Sequence, residues 1–268
     1  MKTIEAASLA QQEFIKDHKR HHQFIRWARL AVLILFLAVW EICANAGVID
    51  SFFFSSPSRV VKCFFSMVRD KSLFSHIGVT LFETVVSFLL VVAISLAAAT
   101  LLWYSAKLSE ILEPYLVVLN SLPKSALAPL LIVWLGTGIN TIIVAGISVA
   151  IFGAIISLYT GFLQVDAEKL KLIYTLGGTR RDTFLKVVLP ASIPTILSTM
   201  KVNIGLALVG VIIGEFLAAR RGLGYLIIYG SQVFQLNMLI TSILILCVIA
   251  MALYQIIQYL EHCYKKRI

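Results

Sequence analysis

DAEKLKLIYTLGGTRRDTFLKVVLP, residues 166–190, is a polar, basic island between two apolar runs, each long enough to cross a bilayer. It holds five of the chain's 23 Lys and Arg residues: Lys169, Lys171, Arg180, Arg181 and Lys186. A basic segment between two spans is expected on the cytoplasmic side of a membrane. The chain of 268 residues is 59% hydrophobic and 14% charged, and its mean hydropathy is +0.91. Soluble domains carry about 25% charged residues, so lipid must account for the missing charge. The net charge of +9 belongs to orientation-setting loops and argues against a nucleic-acid partner. Cys43, Cys63, Cys247 and Cys263 form no C-x-x-C pair and are read as space-filling residues.

Working outward from the island, six spans are expected, near residues 30–46, 77–104, 114–135, 141–162, 193–217 and 238–260. Residues 1–29 are read as a cytoplasmic lead-in, 30–262 as the transmembrane domain and 263–268 as a cytoplasmic tail. His18, His21 and His22 are read as part of a solvated basic segment and not as metal ligands. A surface helix begins after Pro57 with Ser56 as its cap, because Val60–Val61, Phe64–Phe65 and Val68 recur at helical spacing between basic residues. Ser105–Glu113 reads as a polar break. Pro123 and Pro129 interrupt the third span, which a membrane tolerates only where protein or a cavity satisfies the freed groups. Residues 218–237 read as an outer loop with a partly buried apolar section. With both termini inside, 15 Lys and Arg residues are cytoplasmic, six are outside and two, Lys124 and Lys201, lie within spans. The bias supports that orientation.

Within the island, Ala167–Leu176 predicts a short helix, stopped by Gly177-Gly178. Thr179, with Asp182 three residues on, predicts the cap of a second helix. That helix is expected to end before Pro190. Two short helices meeting at a Gly pair make an elbow whose Leu, Tyr and Phe side chains alternate with basic ones. Such a surface suits the groove of a partner protein.

From Gly177, nine residues precede Val187-Val-Leu-Pro190. This resembles the cytoplasmic signature of the permease subunits of bacterial binding-protein-dependent ABC importers: Glu-Ala-Ala, three residues, Gly, nine residues, Ile-x-Leu-Pro. Gly177, Val187, Leu189 and Pro190 match, whereas Lys171, Leu172 and Ile173 stand in place of the triplet. Trp40-Glu41-Ile42, SSPSRVV, Ser75-His76, the run from Pro123 to Leu130, Trp134–Gly138, Gly214-Glu215 and Arg221–Leu226 resemble the nitrate/sulfonate/taurine branch of these permeases, in order, over about residues 30–262.

The resemblance implies an all-α polytopic fold of the type I ABC importer permease, with the island as its coupling loop. It implies a plasma (inner) membrane location. The implied partners are ABC ATPase subunits, an extracytoplasmic substrate-binding protein, a second permease copy and the surrounding lipid. No cofactor and no enzymatic activity of the chain's own is implied; the sequence holds no G-x-x-x-x-G-K-[ST] to cradle ATP. Leu172, Tyr174, Leu176 and Phe184 would fill the ATPase groove. Arg180 and Arg181 would pair with its rim. Sulfonates, taurine, nitrate, a pyrimidine vitamin precursor and riboflavin all stay open as substrates.

Charges inside spans suggest function. For Glu41 and Glu215 two readings stay open: contact with the path or the binding protein, or snorkelling and pairing with Arg220 or Arg221. Lys201 either neutralises an anionic substrate or satisfies carbonyls freed near Pro190 and Pro194. Asn120, Pro123, Ser125 and Pro129 mark the break in the third span as candidate path lining. A secondary transporter would be expected to show paired buried acids and an inverted repeat, and no two close carboxylates are visible along the sequence. His76 reads as a cap or packing residue.

Overall fold

The computed structural model describes residues 2–48, 50 and 54–266, and no strand occurs among them. By contact density it divides into two compact units, Met1–Cys63 and Phe64–Ile268.

The first unit is built on α1, Lys2–Asn45. The polar lead-in and the first span, expected to divide at residue 29, form one uninterrupted helix whose apolar part is Gln23–Asn45. Helix α2, Pro57–Arg69, starts as expected: the Arg59 amide donates to Ser56 Oγ at 3.4 Å. Glu41 of α1 is engaged at the start of α2. Its carboxylate accepts from the Ser58 amide at 3.0 Å, Ser58 Oγ at 2.9 Å and Asn45 Nδ2 at 3.1 Å. A carboxylate at the start of a helix satisfies otherwise orphaned amides, so Glu41 ties α2 to α1.

The second unit is arranged around three long helices: α3, Ser72–Tyr104; α6, Ile139–Leu163; and α9, Leu189–Ala218. Small residues let them approach closely. A Cβ on Gly210 of α9 would lie 2.8 Å from both the Ala145 carbonyl oxygen and the Gly146 Cα of α6. On the other side of α6, a Cβ on Gly146 would lie 2.6 Å from Ser87 Oγ of α3. That hydroxyl donates to the Ile143 carbonyl at 3.2 Å. Val91, Ala150, Ala154, Ala207 and Val211 are fully buried in these contacts.

The third expected span is instead a broken pair. Helix α4 runs Ala106–Ser121 and α5 runs Lys124–Leu135, with a bend of 95° between them. The polar break expected over residues 105–113 is helical, because Ser105 is extended and its hydroxyl accepts from the Leu108 amide at 3.3 Å. The bend sits at Leu122-Pro123, where the proline ring forces Leu122 out of the helical region, to ψ 140°. At 1.5 Å per residue the two pieces are about 24 and 18 Å long, each short of a ~30 Å hydrocarbon core.

After α6 come two short helices, α7 (Ala167–Thr175) and α8 (Arg180–Thr183). The second was expected to end before Pro190. It continues instead through one π-helical turn, Phe184–Val188, directly into α9. Proline removes one amide donor and its ring crowds the carbonyl four residues back. The wider π turn, in which the Leu189 amide donates to the Phe184 carbonyl, makes room for it. The apolar section of residues 218–237 is helix α10, Leu223–Gln232, and α11 runs Leu236–Lys265. Five helices of the described residues are long and apolar enough to span a membrane, or six if the bent pair counts as one.

The close α6–α9 approach leaves no space for a larger residue. Gly210→Leu is expected to destabilise the bundle by about 1–3 kcal/mol, read as a lower midpoint of thermal unfolding in detergent, with Gly205→Leu, where a Cβ meets nothing within 4 Å, as the control.

Candidate functional site

The elbow is held from within by hydrogen bonds that the local sequence dictates. Asp166 caps α7, accepting from the Glu168 amide at 2.9 Å. At the other end Gly177 takes φ +78°. The Gly178 amide donates to the Ile173 carbonyl at 2.9 Å and the Gly177 amide to the Tyr174 carbonyl at 3.0 Å. That pair of bonds is the Schellman motif, which needs a residue tolerant of the left-handed region. Thr179 and Asp182 form a full capping box: the Asp182 amide donates to Thr179 Oγ1 at 3.2 Å and the Thr179 amide to Asp182 Oδ2 at 3.0 Å. Lys186 pairs with Asp182 at 2.8 Å.

The elbow's side chains divide into two groups. Leu172, Tyr174 and Leu176 point outward, with Leu176 75% exposed, and Lys171 and Arg181 are exposed beside them. Phe184 does not belong with these. It is 5% exposed and packs with Ala99, Leu158, Phe162 and Val188. Its ring lies 5.1 Å from Trp103, 5.4 Å from Tyr104 and 5.5 Å from Phe162. Arg180 is also engaged internally. Its Nη2 donates to the Trp103 carbonyl at 3.0 Å, and the guanidinium lies 5.4 and 6.0 Å from the Trp103 and Tyr104 ring centres. This satisfies a carbonyl left open at the end of α3 and places a cation where the helix dipole favours one. Phe184, expected to fill a partner's groove, anchors the elbow to α3 and α6 instead, and the exposed Arg180 also ties it to α3. Leu189 and Pro190 lie just past the π turn, in the first turn of α9.

At the opposite end of these helices lies a second constellation. The chain turns at Gly222, φ +122°, and α10 begins. Its first four amides all find acceptors on α3 and α9. Gly222 donates to His76 Nδ1 at 3.0 Å, Leu223 to Thr80 Oγ1 at 2.8 Å, and Gly224 to Glu215 Oε2 at 2.5 Å. The Tyr225 amide also donates to Glu215. Thr80 Oγ1 in turn donates to Glu215 Oε1 at 2.6 Å. The His76 ring stacks on Tyr225 with a 6° interplanar angle. Glu215 is fully buried and pairs with neither Arg220 nor Arg221; its carboxyl caps a helix. A Cβ on Gly222 would collide with that carboxyl and one on Gly224 would lie 2.8 Å from Oε2, which explains the Gly-Leu-Gly spacing. Glu83 of α3 hydrogen-bonds to Glu215. Two buried carboxyls therefore do meet, contrary to the sequence expectation.

At the break between α4 and α5, the Lys124 ammonium donates to the Asn120 carbonyl, so protein satisfies part of the interrupted ladder. Asn120, Pro123, Ser125 and Pro129 are all exposed around it, and the Asn120 side chain faces Gly153 of α6. Lys201 is not among them. It forms an ion pair with Glu261 of α11 at 2.5 Å. Among the residues whose side chains are described, no group of three His, Cys, Asp or Glu is placed to hold a metal; the side chains of His18 and His22 lie outside them.

Residues 89–262 match the family model described as the binding-protein-dependent transport system inner membrane component. The chain belongs to this family. A relative in Haemophilus influenzae, named as an ABC transporter permease protein, is 31% identical over 87% of this chain and 94% of its own. A Bacillus subtilis relative named as an aliphatic sulfonates transport permease protein, SsuC, is 26% identical over 92% and 88%. The formylaminopyrimidine transport permease protein ThiX of Halalkalibacterium halodurans is 25% identical over 72% and 76%. The fold is that of a chain of the inward-facing methionine ABC transporter MetNI, with TM-score 0.64, 19% identity, and 71% of this chain and 95% of that one covered.

This permease carries three contacts that its sequence does not advertise. Glu83 stands 132 residues from Glu215, so only the fold pairs them. Trp103 and Arg180 meet because α3 ends where α8 begins. The Lys201–Glu261 pair joins α9 to α11. The only sequence-level signal for any of them is that acids and bases inside apolar runs require partners.

Removing the capping carboxyl would strand the Gly224 and Tyr225 amides and the Thr80 hydroxyl. Each stranded buried group costs about 1–3 kcal/mol. Glu215→Ala is therefore expected to lower the thermal midpoint sharply in detergent, and Glu215→Gln, which keeps one acceptor oxygen, to lower it less. Equal effects of the two would rule out the capping role.

Proposed function

We propose that this chain forms the translocation path of an ATP-driven importer for a small, anionic, sulfonate-like solute, working as a symmetric pair of copies with both termini in the cytoplasm. The basic elbow at 166–190 is the contact with a separate ATPase subunit. One observation carries this: Leu172, Tyr174 and Leu176 stand exposed on a capped, internally hydrogen-bonded elbow, in a segment too polar to lie in lipid. Exposed apolar side chains on a rigid frame, with Lys171 and Arg181 beside them, suit a groove with an acidic rim.

The supporting mechanics are mechanical and not chemical. When ATP closes the ATPase pair, each elbow is carried with it. The Phe184–Phe162–Trp103 cluster and the Arg180–Trp103 bond pass that displacement to α6 and α3, and the continuous helix from Arg180 onward passes it to α9. The helices then move as bodies, alternating access. Asn120, Pro123, Ser125 and Pro129 are candidate path lining, as exposed polar or helix-breaking positions in the bent pair. A solute delivered by a substrate-binding protein would enter at the Gly222 end. The sulfonate-like class rests on likeness to SsuC. Likeness to ThiX favours a pyrimidine vitamin precursor as the second reading.

Co-expression with the ATPase and binding-protein genes tests the coupling role. The double variant Leu172→Glu/Leu176→Glu is expected to lose ATPase capture, or to lower solute-stimulated ATP hydrolysis at least about tenfold, the equivalent of 1.4 kcal/mol, while Val248→Ala, exposed midway along α11, changes neither. Full stimulation in the double variant would make the elbow a passive connector.

A further inference from the structure

Helix α11 changes character near its end. Its mainly apolar stretch, residues 238–260, is about 34 Å long at 1.5 Å per residue, close to the ~30 Å of a hydrocarbon core. Glu261, His262, Lys265, Lys266 and Arg267 follow. α9 leaves the elbow and α11 returns toward it, so this polar end reaches the headgroup level of the leaflet on the elbow's side. At that level lies a cavity of about 550 Å³, lined by Lys201 of α9 and by Gln255, Gln258, Tyr259, Glu261 and His262 of α11. Its size falls in the range of small-molecule sites, and every lining side chain carries a polar atom.

Gln255, Gln258 and His262 recur at i, i+3 and i+7 and so share one face of α11. Met251, one turn back toward the apolar stretch, continues that face. All four are exposed, Met251 to 58%, so the face passes from apolar to polar within one turn. On α9, Val202 beside Lys201 is also exposed. The Lys201–Glu261 pair forms part of the wall. Glu261 is buried and takes one of the three donors of the Lys201 ammonium, which leaves two for the cavity. With Lys265, Lys266 and Arg267 following, positive charge exceeds negative at this end of α11.

We propose that this cavity holds the phosphate headgroup of an anionic phospholipid. Lys201 donates to a phosphate oxygen, and the Gln255 and Gln258 amides and the His262 ring surround the head. The acyl chains cover Met251 and Val202. A free phosphate would leave those two apolar side chains bare, and a lipid without phosphate would leave the remaining Lys201 donors without an acceptor, which is costly inside a span. The basic end of α11 adds the attraction that draws anionic headgroups to juxtamembrane cations. The site shares no residue with the elbow or with the bent pair α4–α5, and the proposal goes beyond the importer reading.

Native mass spectrometry of the full chain, delipidated in a non-ionic detergent, tests this with phosphatidylglycerol, phosphatidylethanolamine and diacylglycerol. Phosphatidylglycerol is expected to bind at least about tenfold tighter than diacylglycerol. It is expected to bind at least about threefold tighter than phosphatidylethanolamine, whose ammonium cancels the charge of its phosphate. Inorganic phosphate is not expected to displace it. Replacing an ion pair by apolar residues of similar volume is often neutral for folding, so Lys201→Met/Glu261→Met is expected to keep the thermal midpoint and lose about tenfold in phosphatidylglycerol affinity. Gln255→Leu/Gln258→Leu changes exposed side chains alone, is expected to weaken binding about threefold, and decides the matter if the first variant folds poorly. Equal affinity for phosphatidylglycerol and either other lipid would overturn the proposal, as would displacement by inorganic phosphate. So would phosphatidylglycerol binding untouched by the ion-pair variant, or by the glutamine variant where the first does not fold.

Discussion

A helix that begins inside an apolar bundle must find acceptors for its first amides, and α10 finds all four on two other helices. His76 and Thr80 come from α3 and the Glu215 carboxyl from α9. In a lipid environment no water replaces a missing acceptor, so these bonds fix where α3, α9 and α10 meet. Gly222 and Gly224 follow from the same constraint, since a side chain at either position would occupy the space of the carboxyl. Glu83 is held beside this junction by its bond to Glu215, and Arg220 and Arg221 are carried by the turn that Glu215 anchors.

The other end of the bundle solves a different problem: a polar segment must be rigid yet joined firmly to the spans. Its internal rigidity is local, from a Schellman turn and a capping box only residues apart. Its attachment is long-range, through Phe184 among three aromatic rings and Arg180 on the Trp103 carbonyl. The π turn before Pro190 turns what would be a helix break into a continuous rod from elbow to span. These features make the elbow able to transmit displacement, a property a flexible loop lacks.

Much of this was legible in the residues. Caps and turns are written in neighbours three to five positions apart, so Gly177, Thr179 with Asp182, and Ser56 were readable without coordinates, whereas the Asp166 cap emerged only from the structure. Apolar runs of membrane length were readable too. The bend at Leu122-Pro123 was legible as a disturbance but not as a 95° turn, because the direction taken after a proline depends on what the following helix packs against. Pro190 misled for a related reason: a proline signals a strained backbone, and whether the strain ends the helix or widens one turn is settled by neighbours such as Phe162 and Ala99, distant in sequence.

The sequence by itself determined the class of molecule, the number of apolar runs, and the form of the elbow, because lipid length, charge placement and local hydrogen bonds act over short stretches of chain. Only the tertiary structure decided which charged and aromatic groups face outward and which are spent internally. Phe184, Arg180, Lys201 and Glu215 look alike in the sequence to residues awaiting a partner. Each is already matched, by Trp103, Glu261 or the amides of α10, across separations that no local pattern encodes. Glu83 is the converse: one helical acid among apolar residues, whose Oε2 has no hydrogen-bond partner among the described residues, which emerges only once Glu215 has been assigned elsewhere.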